Sequence, residues 1–89
     1  MAIGIIFEPD VDQEKYDRVV HELYPDGRPA DGMLLHAAGP SEQGWRVIEV
    51  WESQEAATRY FNDKLRASME RAGIHAQPLF FQVHNMLTA

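Results

Sequence analysis

The chain has 89 residues, 45% apolar and 25% charged, which fits one globular domain over 1–89 and excludes a disordered segment. Fourteen acidic residues against eight Lys and Arg leave a net charge of −6. The basic stripe that releases counterions from nucleic acid is therefore missing, and no nucleic-acid partner is expected. The absence of cysteine rules out disulfides and thiolate chemistry and permits a cytoplasmic location. No apolar run approaches a membrane span, and the start at Met1-Ala2-Ile3-Gly4 carries no basic leader, so neither membrane insertion nor a signal peptide is expected.

Ala2 to Glu8 is β-branched and aromatic and stops at Pro9, which predicts a strand. A helix follows from about Asp12, its N-cap, to Tyr24, with Val11 and Tyr16 as a hydrophobic staple. Pro25-Asp26-Gly27 ends it, and the loop runs to Gly32. Met33 to Ala38 and Trp45 to Glu52 read as a hairpin joined by the turn-rich link Gly39 to Gly44. Ser53 caps a second helix whose buried face is predicted at Ala57, Tyr60, Phe61, Leu65 and Met69, and Gly73 is its left-handed stop. Gln77 to Leu87 is the last predicted strand, opened by Pro78. The order β-α-β-β-α-β is the α+β, ferredoxin-like arrangement, a four-stranded antiparallel sheet with both helices on one face.

Alternation sorts the strand residues into two faces. With Gly39 set opposite Gly44, one face collects Leu34, His36, Ala38, Trp45, Val47, Glu49 and Trp51, and the other Met33, Leu35, Ala37, Arg46, Ile48 and Val50. The second set, apolar but for Arg46, is assigned to the helix-packed core with Ile3, Ile5, Phe7, Leu79, Phe81 and Val83. The first set, with Gly4, Ile6, Phe80, Gln82, His84 and Met86, is expected on the far side. Seven large apolar side chains there, at roughly 1.5–3 kcal/mol each, could not be left in water. A second copy of the chain, an apolar ligand, or both must cover them.

The run Gly44-Trp45-Arg46-Val47-Ile48-Glu49-Val50-Trp51-Glu52-Ser53, followed by Gln54-Glu55-Ala56, resembles the antibiotic biosynthesis monooxygenase-like group of the dimeric α+β barrel superfamily. The stretch Leu35 to Gly39 and the helix end Leu65 to Gly73 look similar to small members of the same group, so the resemblance covers most of the chain. It implies a homodimer with two sheets packed face to face. It also implies chemistry drawn from cofactor-free oxygenation of quinol-like or polyketide aromatics, haem degradation, or no known activity. Trp51 looks like the pocket Trp of the haem-degrading branch. That branch's first-strand Asn is met here by Gly4, Ile5 and Ile6, and its late-helix His by about Glu70, so haem degradation is not expected.

His36 and His84 are the candidate catalytic residues, one as general base on a phenol or enol and the other polarising a carbonyl. Trp45, Glu49, Trp51, Phe80, Gln82 and Met86 are the candidate ligand-binding residues, an aromatic wall with a few polar groups for a flat hydrophobic molecule. The same residues equally suit a plain dimer core, with the histidines hydrogen-bonded in a wall. Tyr24 and Tyr60 are expected to keep their hydroxyls at the surface. In the strand order 4-1-3-2 the two histidines lie on opposite edges, about 14 Å apart, too far to share an ion within one chain. No metal and no cofactor are expected. Two readings stay open: a homodimeric barrel that binds an aromatic molecule and oxygenates it without a cofactor, and a non-catalytic binding or dimerisation module.

Overall fold

The computed structural model describes residues 1–42 and 44–89; Gln43, in the expected hairpin link, lies outside the described residues. Strand β1 (Ile3–Phe7) leads into helix α1 (Gln13–Leu23), whose Asp12 cap accepts the Lys15 amide at 2.8 Å. Strands β2 (Met33–Ser41) and β3 (Gly44–Trp51) form the hairpin. Ser53 then caps α2 (Gln54–Tyr60), accepting the Ala56 amide at 3.1 Å. A π-helical turn (Phe61–Leu65), closed by the Arg66 amide on the Phe61 carbonyl, continues the rod into α3 (Arg66–Ala72). Gly73 ends it at φ 67°, the left-handed conformation glycine adopts at least cost. Strand β4 is only Leu79–Gln82, shorter than the predicted Gln77 to Leu87. The sheet is antiparallel in the order β2-β3-β1-β4, the ferredoxin-like arrangement.

The hairpin is longer than its turn signals imply. Ser41 pairs with Gly44, Pro40 with Trp45 and His36 with Glu49, two residues on from the predicted register. Because the slip is even, the residue groupings survive, but the faces are reversed. Ile3 pairs with Trp51, Ile5 with Glu49 and Phe7 with Val47, so Trp51, Glu49 and Val47 point with the β1 core residues toward the helices. Phe80, opposite Ile5, turns the same way. Ile3, Ile5, Met33, Trp51, Ala56, Ala57 and Tyr60 form the core.

The open face instead carries Gly4, Ile6, Leu35, Ala37, Arg46, Ile48, Val50, Leu79 and Phe81. The reversal has a physical cause. His36 and Glu49 were placed away from the core for their polarity, yet a buried polar residue is acceptable once hydrogen-bonded, and these two bond to each other. A bulge at Leu34 keeps Met33 in the core, as expected, while Leu35 faces outward. Arg46, assigned to the core, pairs with Glu8 at the surface.

The open face is apolar all the same. Leu35, Ile48, Leu79 and Phe81 stand 40–64% exposed on it. The Phe81 ring lies directly over Gly4, where a Cβ would come within 2.1 Å of it. At the opposite end of the chain's course, the link after α3 is tied to the link after β1, with the His75 amide donating to Asp10 Oδ1 at 2.6 Å. That contact holds the Asp10 carboxyl below its ordinary range, the backbone amide of His75 being the main cause.

Candidate functional site

Turning Glu49 and Trp51 toward the helices places them on the wall of a half-open cavity of about 380 Å³ between the sheet and the α2–α3 rod. Ile5, Phe7 and Phe80 extend this wall across β1 and β4, and Ala57, Tyr60, Phe61 and Leu65 form the opposite one. Polar groups are few: Glu49, Gln54, Thr58, Asn62 and Arg66. The π turn carries Phe61, Asn62 and Leu65, and irregular turns of this kind recur at functional sites. Arg66 donates to Asn62 Oδ1 at 2.9 Å and lies over the Phe61 ring at 5.1 Å, so the polar rim is held in place.

Behind the sheet wall runs a chain of four side chains. Tyr16 Oη lies 2.5 Å from His36 Nε2, His36 Nδ1 lies 2.8 Å from Glu49 Oε2, and Trp51 Nε1 donates to Glu49 Oε1 at 2.9 Å. Glu49 is 4% exposed, and its two partners balance the cost of burying its carboxylate. Trp51 is 1% exposed and packs on Tyr60 with ring centroids 5.3 Å apart.

Of the residues singled out in the sequence, Glu49, Trp51 and Phe80 meet at this cavity. His36 is one step behind it, joined through Glu49. Trp45 packs on Tyr16 at 5.2 Å, with its Nε1 buried and unpaired among the described residues. Gln82 pairs with Ile3 at the exposed end of β4. His84 and Met86 are exposed beyond β4, and neither lines the cavity. Sequence reasoning missed Tyr16, Asn62 and Arg66 altogether. The i, i+4 pair Asn62 and Arg66 flanking a π turn was the one local signal available for the rim. The Tyr60 hydroxyl, expected at the surface, is buried without a hydrogen-bond partner beside the cavity.

The likeness to known proteins lies in this architecture. No protein-family model and no curated protein matches the chain. Among solved structures, a putative antibiotic biosynthesis monooxygenase from Deinococcus radiodurans superposes with a TM-score of 0.69 at 11% identity, covering 100% of this chain and 98% of that one. SnoaB, a cofactor-independent oxygenase from Streptomyces nogalater, gives 0.64 at 14% identity, covering 99% and 96%. A dimeric ferredoxin-like protein of unknown function from Thermobifida fusca gives 0.64 at 15% identity, covering 93% and 92%. The fold is that of the antibiotic biosynthesis monooxygenase-like proteins. Within this fold the cavity lies between sheet and helices, on the side of the sheet away from the open face.

The chain has three tyrosines, and all three have their phenols shifted upward. Burial is the largest cause in each, reinforced by the Glu49 carboxylate, and Tyr24 is shifted furthest. A phenol held neutral in the fold but free to ionise near pH 10 when unfolded stabilises the fold below that pH and ceases to do so as pH rises past it. Phenolate absorbance and loss of circular dichroism are therefore expected to appear together above about pH 10. A tyrosine signal that titrates normally while the fold persists would contradict this arrangement.

Proposed function

We propose that the chain is a homodimeric α+β barrel that binds a flat, hydrophobic aromatic molecule in the cavity between sheet and helices, and oxygenates it without a cofactor. The observation that carries the binding reading is the cavity itself. Apolar walls closed by Trp51, Tyr60, Phe61 and Phe80 suit an aromatic ring system, and the few polar groups at Glu49, Asn62 and Arg66 suit a hydroxyl or carbonyl at its edge. Dimerisation draws support from the apolar open face and from the dimeric Thermobifida fusca protein of the same fold. The oxygenase reading draws support from the shared architecture with SnoaB.

Calorimetric titration with 2-naphthol and related phenols tests the binding. Saturable binding is expected, and Thr58→Phe, which narrows the cavity from an exposed helix position, is expected to weaken it at least about tenfold. Equal affinity in both proteins would place the ligand elsewhere and end the reading. Oxygen uptake with a panel of quinols in cofactor-free buffer then tests the chemistry. Turnover that falls with Thr58→Phe supports oxygenation, whereas tight binding without turnover returns the alternative, a binding module.

A further inference from the structure

The buried carboxylate at the cavity wall has a more definite role than ligand contact. Resting on the cavity as a binding site for flat aromatics, we propose that Glu49 is a general base that removes a proton from an enolisable or phenolic group of the bound molecule, with His36 and Tyr16 as positioning residues.

Three features of the site support this assignment. Glu49 is the sole acidic side chain among the residues lining the cavity. Each of its oxygens accepts one hydrogen bond, from Trp51 or His36, which leaves lone pairs unused on both. And the carboxylate is fixed from behind. The donor order that satisfies every atom runs from the Tyr16 hydroxyl to His36 Nε2, and from His36 Nδ1–H to Glu49 Oε2. Tyr16 thereby selects the imidazole tautomer that donates to Glu49, and the imidazole in turn sets the carboxylate plane. The same bonds occupy both ring nitrogens of His36, so the histidine cannot itself accept a proton from the ligand. A base embedded in an apolar wall, with its orientation set by a second and a third residue, is the arrangement proton abstraction requires.

The step is a simple proton transfer. A Glu49 oxygen takes the hydrogen on the carbon next to a carbonyl as a proton. The C–H electron pair becomes the enolate double bond, and the carbonyl pair moves to oxygen. Glu49 is left as the neutral acid, its proton exchanges with solvent at the half-open cavity mouth, and return to carbon regenerates the carboxylate. No oxidant is consumed.

2-Tetralone, a flat aromatic ketone with exchangeable hydrogens beside its carbonyl, is the probe. Its binding is measured by calorimetry and its deuterium incorporation in heavy water by NMR, on the full chain. The natural protein is expected to bind 2-tetralone saturably and to accelerate exchange over buffer. E49Q is expected to retain saturable binding, and at saturating 2-tetralone to lose about a hundredfold in exchange rate, the lower range for a general base. E49D, which keeps the charge but withdraws it by one methylene, is expected to lose about tenfold or more. His36→Phe is expected to slow exchange about tenfold at unchanged affinity. His36→Asn, whose amide can still donate to Glu49, is expected to recover most of that rate, which a merely structural histidine would not predict. Exchange at the natural rate in both Glu49 variants, with 2-tetralone bound, overturns the base and leaves the cavity as a binding site. Absence of saturable binding to the natural protein overturns the cavity reading and the base together.

Discussion

Ile48→Lys is expected to sediment as a folded monomer, and the natural chain as a dimer. Ile48 lies mid-strand on β3, on the open face with Leu35, Leu79 and Phe81 around it. An antiparallel sheet with one wet face ordinarily presents polar residues there, and this one presents a contiguous apolar surface instead. In a two-fold dimer the same patch meets itself, so each substitution places two lysines in one interface. An unpaired charge buried this way costs about 3–5 kcal/mol, which weakens association by roughly a hundredfold or more. The cavity side of the sheet is untouched, so the far-ultraviolet circular dichroism should not change. Sedimentation velocity at micromolar concentration reads the result. A natural chain that is monomeric and well folded at that concentration would remove the dimer from the proposal.

Trp51→Ala is expected to cost about 3–5 kcal/mol of stability, and Trp51→Phe about 1.5–3 kcal/mol. Trp51 fills the centre of the core, in contact with Tyr60, and its indole N–H is one of two donors to the buried Glu49 among the described residues. Truncation to Ala removes both the packing and the bond. Phenylalanine keeps most of the packing and isolates the bond, leaving Glu49 with His36 alone. Against a total of about 5–15 kcal/mol for a domain, the Ala variant approaches the limit of folding. Urea unfolding of the two variants measures the difference. A Trp51→Phe variant as stable as the natural chain would mean that the hydrogen bond contributes nothing beyond the ring.

The features read correctly from the sequence are the local ones. Asp12 and Ser53 cap helices and Gly73 stops one because the backbone needs of a helix end are met within three or four residues of chain. Element order, and from it the sheet order, follows the same local signals. Which side of the sheet faces the helices is not local. It depends on pairing between residues distant in the chain, such as Ile3 with Trp51, 48 positions apart, and on whether Glu49 can find partners when buried. Polarity alone therefore sent Trp45, Val47, Glu49 and Trp51 to the wrong face. Phe80 and Phe81 of β4 exchange faces for a different reason, since two adjacent phenylalanines carry no directional signal. Within the candidate site, Glu49, Trp51 and Phe80 were named because aromatic and ionisable residues on strands are conspicuous. Tyr16 reads from the sequence as the staple partner of Val11, and nothing near it in sequence points to His36, twenty residues away.

The widened turn at Phe61–Leu65 acts as a one-residue insertion in an otherwise regular rod. Seven residues make nearly two α-helical turns, so a uniform helix would carry Tyr60's orientation to Ala67. Instead Ala67 faces solvent and Ser68 is the buried one. Everything downstream, Met69 included, owes its rotational phase to that insertion. Excising a single residue there would leave a regular helix in which Ser68 becomes the seventh residue after Tyr60 and keeps its inward face, whereas an ordinary α-turn in place of the wide one, at full chain length, would swing α3 by about 100° and carry Arg66 and Met69 off the cavity wall.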